Sequence, residues 1–255
     1  MKFARFKIAN DEIIRSAVLE QGKLHEIEGD IFSDWNKTGN IYDESKVRLL
    51  APFIPNSIIG VGKNYVAQGE SKPEITPDIP VLFYKPVSSL IGPEDEIVMP
   101  SSLNQVKFES ELAVVIGKKA HHIKEEEVFD YVFGYTIAND VTAPQYFHPD
   151  GHWMVAKSFN TFTPIGPYIE TELDLSKLNI QADHNDSRKQ DSTLDLMILK
   201  IPYLISYLSS VMTLQPGDVF LSGSPAGADF MNIGDSISCR IDGIGVLSNR
   251  VVAAN

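Results

Sequence analysis

From about residue 57 to the end of the chain, short apolar runs alternate with Pro and Gly turns. That rhythm limits the polypeptide to a β-rich architecture. The runs are Val81 to Tyr84, Leu112 to Ile116, Tyr131 to Ala138, Pro167 to Glu170, Asp218 to Leu221, Ser236 to Ile241 and Gly245 to Val252. A smaller set occupies residues 1 to about 50: Phe3 to Ile8, Ser16 to Leu19 and Lys23 to Glu26, with Gln21-Gly22 where a hairpin turn belongs. Pro52 and Pro55 punctuate the chain between the two regions. Two helices are predicted. Glu125 to Phe133 carries acidic residues in its first turn, which suits the helix dipole. Ile201 to Met212 places Ile201, Leu204, Ile205, Leu208, Val211 and Met212 at helical spacing, with Pro202 in the first turn and Pro216-Gly217 beyond the end. Many strands with few helices predict a mostly-β or α+β fold, and not a doubly wound sheet.

Composition narrows the function classes. The net charge of −12 leaves no basic stripe to meet phosphates, which argues against nucleic acid as a partner. Cys239 is the only cysteine, so no internal disulfide can form, and its setting in Ser-Ile-Ser-Cys-Arg-Ile predicts a buried, inert thiol on a strand. The N-terminus lacks the apolar core of a signal peptide. The longest apolar stretch, Leu194 to Leu214, is broken by Lys200, Pro202 and several serines and does not read as a membrane span. A cytoplasmic protein is the expectation.

Within the strand-like run 107 to 117, Glu109 and Glu111 stand two residues apart. Side chains at i and i+2 of a strand share a face, roughly 7 Å apart along the chain. Two carboxylates so placed repel each other unless water or a cation neutralises them. Taken alone, the pair fits a half-exposed strand with both groups in water. A hard divalent cation is the other solution, because Mg²⁺, Mn²⁺ and Ca²⁺ take carboxylate oxygens. Asp140, ending the apolar run 134 to 140, is a third candidate ligand. Lys157 could set an ammonium beside such a site, against a substrate carboxylate or an enolate oxygen; alone, it reads as a solvated surface lysine.

Other motifs carry less. Gly60-Val-Gly-Lys-Asn lacks the glycines and spacing of a nucleotide loop and predicts a tight backbone turn. Gly223-Ser-Pro-Ala-Gly227 has Pro225 where a nucleophilic serine would sit. His148 and His152 are separated by Pro149-Asp150-Gly151, a turn, so they read as loop histidines and not as a helical zinc pair.

Taken in order, several segments together resemble the fumarylacetoacetate hydrolase family. They are Gly62 to Tyr65, Pro80 to Pro86, Phe108 to Gly117, Gly134 to Thr142, Lys157 to Pro167, Gln190, Thr193, Leu214 to Asp218 and Ser222 to Gly227. The resemblance implies a mixed β-roll catalytic domain over residues 57–255, a small N-terminal β domain over residues 1–50, and a homodimer. It implies that Glu109, Glu111 and Asp140 bind Mg²⁺ or Mn²⁺, or Ca²⁺, and that Lys157 faces a substrate oxygen. It places Tyr65, Gln190 and Ser224 at the substrate, with Ser224 where a threonine is usual. The chain departs from the family pattern at four places. Gln68 stands where a histidine handles protons together with a nearby glutamate, for which Glu70 is the neighbouring candidate. Pro144 replaces an arginine, Asn160 replaces an aspartate, and the segment before Lys157 is shortened.

The function so implied is that of a divalent-metal-dependent enzyme. It acts on a small 2-oxo or enol carboxylic acid by enolate stabilisation, through decarboxylation, isomerisation or C–C hydrolysis. Glutamine cannot act as a general base near neutral pH, which disfavours hydrolysis. Gln68 and Pro144 also leave room for a catalytically impaired metabolite-binding protein that keeps the metal site. A structural β protein with an exposed acidic pair is the remaining alternative. The polar segment 64 to 79, with two prolines and no apolar period, predicts a mobile loop over the site.

Overall fold

The computed structural model describes residues 1–254; Asn255, the last residue of the second expected region, lies outside the described residues. Strand is the dominant regular structure, with few helices, as the alternating pattern predicts. A twelve-stranded mixed sheet runs in the order Trp35–Asp43, Lys23–Gly29, Arg15–Glu20, Lys2–Ile8, Thr163–Glu170, Val132–Asn139, Ser110–Ile116, Val219–Leu221, Ile58–Gly62 and Val81–Lys85. Val47–Leu50 pairs with Lys2–Ile8, and Leu90–Ile91 pairs with Thr163–Glu170. A five-stranded sheet follows the order Ser187–Thr193, Asn179–His184, Ser236–Ile241, Gly245–Ala253 and Glu96–Met99. The first fifty residues join the large sheet through the Lys2–Ile8 strand, whose Phe3 pairs with Ile169.

The centre of the molecule is the strand Ser110–Ile116, buried at every position. Its alternation divides the core. Leu112, Val114 and Ile116 join the large cluster that also holds Ile180, Ile237, Cys239 and Leu247 of the smaller sheet and Leu204, Ile205 and Leu208 of the helix Ile201–Val211. Ala113 and Val115 join a second cluster with Phe3, Val18, Ile58 and Ile165. A strand covered on both faces reads as a continuous apolar run, which is how Leu112 to Ile116 reads. Cys239 is fully buried, and burial pushes its thiol up to about 12. No helix is long and apolar enough to cross a membrane among the described residues.

Two local expectations are corrected. The segment Glu125 to Phe133 is not an α-helix but a 3₁₀ stretch, Glu125–Asp130. The chain is recruited to the sheet at Val132, which pairs with Ile116, and the Tyr131 carbonyl accepts from the Gly117 N–H. Gly60-Val-Gly is not a turn but part of the inner strand Ile58–Gly62, paired on one side with Val219–Leu221 and on the other with Val81–Lys85. Its glycines make room for rings and not for a bend. A Cβ on Gly60 would lie 2.2 Å from Phe83, and one on Gly62 would lie 2.0 Å from Trp153. Several strands were not anticipated. Trp35–Asp43 is mostly exposed, and Ser187–Thr193 buries only Gln190, so neither shows an apolar alternation.

Candidate active site

Antiparallel register brings the three carboxylates together. Ser110 pairs with Asn139 and Glu111 with Ala138, so Glu109 and Asp140 face each other one step beyond the regular ladder. The Asp140 N–H donates to the Glu109 carbonyl at 2.8 Å, and the Glu109 N–H donates to Asn139 Oδ1 at 2.9 Å. Glu109 thus sits just before the strand Ser110–Ile116 and Glu111 within it. One carboxylate oxygen from each of Glu109, Glu111 and Asp140 lies within 4.8 Å of the others. Glu111 and Asp140 are buried, and the Glu109 side chain is 16% exposed.

Two lysines neutralise part of this charge. Lys157 ends the one-turn helix Met154–Lys157, and its Nζ donates to Glu109 Oε2 at 2.6 Å and to Asp140 Oδ2 at 2.5 Å. Lys85 ends the strand Val81–Lys85, and its fully buried Nζ donates to Asp140 Oδ1 at 2.6 Å, the Lys157 carbonyl at 2.8 Å and the Val141 carbonyl at 3.2 Å. Burial works against ionisation of Asp140, but Lys157 and Lys85 outweigh it and hold the carboxyl below the ordinary aspartate range. Burial works against the charged form of Lys157 too, yet Asp140, Glu109 and Glu111 outweigh it and keep the ammonium protonated. Glu111 has no lysine of its own. Burial, then the charges of Asp140 and Glu109, push its carboxyl well above the usual range, and the Lys157 charge and the Gly223 N–H, donating to Oε2 at 2.7 Å, offset this only in part. Gly223 supplies that N–H from φ +95°, and a Cβ there would lie 2.7 Å from Asn64 Cβ, so the position is closed to other residues.

This donor set fits a hard divalent cation. It offers carboxylate oxygens alone, from three converging groups, one of which is buried and short of positive charge.

Glu109 and Glu111 line a cavity of about 290 Å³, with Asp140 buried behind them. Lys157 forms part of its lining beside them, Tyr65 and Ser224 another part, and Phe83, Phe147 and Trp153 an aromatic wall. The Trp153 ring lies 6.0 Å from Phe83 and 5.5 Å from Phe147, and Lys157 Nζ lies 4.8 Å from the Phe83 centroid. The Tyr65 hydroxyl is buried without a hydrogen-bond partner among the described residues, and burial, helped by Glu111, raises its pKa.

The remaining sequence candidates fall elsewhere. Gln190 is buried beyond Ser224 and Pro225 of the cavity lining: its Oε1 accepts from the Ser110 N–H at 3.0 Å, and its Nε2 donates to Ser224 Oγ at 2.9 Å and the Pro225 carbonyl at 2.7 Å. It braces the strand that bears Glu111 against the loop that bears Ser224. Gln68 and Glu70 are exposed and are not brought to the carboxylates; Glu70 instead accepts from the Ala67 N–H at 3.1 Å. His148 and His152 are exposed in a turn, as the intervening Pro-Asp-Gly predicts. Sequence reasoning missed Lys85 and the aromatic wall. The signal for Lys85 was its i+2 relation to Phe83 in an apolar strand, which turns both toward the interior.

Residues 57–252 match the model described as fumarylacetoacetate (FAA) hydrolase C-terminal, and residues 1–52 match one described as Rv2993c-like, N-terminal. The mitochondrial oxaloacetate tautomerase fahd2 of Xenopus laevis is 40% identical over 226 residues, covering 84% of this chain and 71% of that protein. The 5-carboxymethyl-2-hydroxymuconate delta-isomerase of Mycobacterium smegmatis superposes with a TM-score of 0.91 at 36% identity, covering 100% of both chains. The maleylpyruvate hydrolase of Sphingobium sp. SYK-6, solved with manganese (II) ion and pyruvate, superposes with a TM-score of 0.82 at 28% identity, also covering 100% of both.

Proposed function

The chain belongs to the fumarylacetoacetate hydrolase family of enzymes, and from that premise we propose that it is a divalent-metal-dependent enzyme that forms and stabilises the enolate of a small 2-oxo carboxylic acid. The observation that carries this reading is the convergence of buried Asp140 with Glu109 and Glu111, two carboxylates that line a cavity together with Lys157. These three carboxylates would hold Mg²⁺ or Mn²⁺. When bound, such an ion would polarise the oxo group as a Lewis acid and reverse the net negative charge that three carboxylates leave against two ammonium groups.

The protein's own groups supply the rest. Two of the three Lys157 N–H donors are engaged by Glu109 and Asp140, so the third remains for an enolate oxygen. Tyr65, whose hydroxyl is buried and unpaired among the described residues, lines the same cavity and is a second candidate donor. Phe83, Phe147 and Trp153 offer planar apolar surface that excludes water from a flat enol. Gln68, at the position of the family's histidine, is exposed and outside the cavity lining. An enolate-forming reaction, namely keto–enol tautomerisation or decarboxylation of an acid such as oxaloacetate, therefore suits the site better than C–C hydrolysis. Every group invoked lies beyond residue 57, and residues 1–50 are assigned no chemical role.

The test is a panel of 2-oxo acids assayed with Mn²⁺ for loss of the enol absorbance and for release of CO₂, with calorimetric binding in parallel. Metal-dependent turnover of one member supports the reading. Binding without turnover of any member would point to a metabolite-binding protein instead.

A further inference from the structure

We propose that Lys85 is a positioning residue that selects which oxygen of Asp140 is presented to the cation and sets the reach of Lys157. This rests on the metal-site reading above. An ammonium group has three N–H donors, and Lys85 Nζ has three acceptors: Asp140 Oδ1, the Lys157 carbonyl and the Val141 carbonyl. All of its capacity is used, its side chain is 0% exposed, and it does not line the cavity. It therefore acts through other residues and touches no substrate.

Each of the three bonds has a consequence at the site. The bond to Oδ1 fixes the plane of the Asp140 carboxylate and leaves Oδ2, the oxygen that meets Lys157 Nζ, on the side of Glu109. The bond to the Lys157 carbonyl satisfies an acceptor that the end of a one-turn helix would otherwise leave unpaired, and it anchors the backbone from which Nζ reaches the carboxylates. The bond to the Val141 carbonyl ties the residue after Asp140 to the same point. Phe83, two residues earlier on the same strand face, lies under Lys157 Nζ. One strand end thus orients Asp140 and Lys157 together.

The first arm of the test is Mn²⁺ affinity, read by paramagnetic resonance of the free ion, for the unaltered protein, Lys85→Met and Glu111→Gln, with melts in EDTA to establish folding. Lys85→Met keeps the length and volume of the apolar stem while removing all three donors. The expected result is a Mn²⁺ affinity about 10–100-fold weaker in Lys85→Met, the usual effect of losing a group that orients a ligand. A purely structural lysine would lower the melting temperature in EDTA and leave Mn²⁺ affinity unchanged, and unchanged affinity in a folded Lys85→Met overturns the proposal. The second arm needs no variant and decides the matter if Lys85→Met does not fold: a crystal structure of the unaltered protein grown with Mn²⁺. Asp140 should bind through Oδ2 while Lys85 keeps Oδ1 and the Lys157 carbonyl. Binding through Oδ1, or Lys85 bonded elsewhere, overturns it. Failure of the underlying reading looks different. The unaltered protein and Glu111→Gln would then show the same lack of affinity for Mn²⁺, which removes both readings together.

Discussion

Gly62 and Trp153 are in van der Waals register: a Cβ on Gly62 would stand 2.0 Å from Cζ3 of the indole. The ring is in turn packed on Phe83 and Phe147 at the cavity wall. Gly62→Ala must therefore displace a bulky ring, and the strand Ile58–Gly62 has paired neighbours on both sides and cannot retreat. The expected cost is about 1–3 kcal/mol of stability, as for other overpacked sites. Trp35 is the only other tryptophan, so in a Trp35→Phe background the emission spectrum reports Trp153 alone. Unchanged stability and an unchanged spectrum would show that the indole does not pack on Gly62.

The same contact shows what the sequence could and could not disclose. Glu109, Glu111 and Asp140 were legible because strand alternation and the end of an apolar run place them before any tertiary contact is known. The inner strand Ile58–Gly62 was hidden because its glycines signal a turn locally, whereas the need for them arises from Phe83 and Trp153, far away in the chain. Phe147 and Trp153 flank an exposed His-Pro-Asp-Gly-His turn and so carry no apolar period, yet they form the wall. Lys85 resembles any lysine at a strand end until its three acceptors, contributed by residues 140, 141 and 157, are assembled around it. Gln190 was legible as a residue near the site but not as a brace, since its partners Ser110, Ser224 and Pro225 come from two other segments.

Divalent ions are expected to stabilise the fold. A ligand at 100 times its dissociation constant adds about 2.7 kcal/mol, which for a chain of this size is a rise of roughly 5–10 °C in melting temperature. Glu109→Ala and Asp140→Ala should both abolish that rise. They should differ in EDTA. Asp140→Ala leaves Lys85 and Lys157 buried without their shared carboxylate, at a cost of about 3–5 kcal/mol. Glu109 is partly solvated, so its removal costs less. Melts with and without Mg²⁺ or Mn²⁺ check both statements, and a full metal-induced rise in both variants would rule out these ligands.

Acid stability should depend on Asp235. Burial works against its ionisation, but the Asn232 N–H, the Asn185 amide and the His184 ring outweigh it and hold the carboxyl at about 2. A folded-state value below the ordinary 3.8 means that the folded protein binds the proton less readily than the unfolded chain. The contribution is thus complete above about pH 4 and is lost as the pH falls through about 2. Urea midpoints of the unaltered protein and Asp235→Asn should differ most at pH 5 and converge toward pH 2. A difference that stays constant over that interval would exclude the linkage.

The division between enolate chemistry and hydrolysis can be settled with one substrate class. Hydrolysis of an acylpyruvate needs an activated water, and Gln68, which the resemblance sets at the family's histidine position, is both exposed and unable to take a proton near neutral pH. Enolate formation needs positive charge beside the oxo group, which on the proposed reading comes from Lys157, an ammonium that its carboxylate neighbours keep protonated. Acylpyruvate hydrolysis by the unaltered protein with Mg²⁺ or Mn²⁺ should therefore be weak or absent, while tautomerisation or decarboxylation of a 2-oxo acid proceeds. Lys157→Met should lower kcat of that reaction about 10²–10³-fold, the usual effect of removing one oxyanion donor. Gln68→His should raise hydrolysis only if a carboxylate such as Glu70 can orient the new imidazole at the cavity, and Glu70 lies outside it. Hydrolytic turnover by the unaltered protein in the ordinary enzyme range of roughly 1–10³ s⁻¹ would mean that another group activates water, and that Gln68 does not mark the loss of that step.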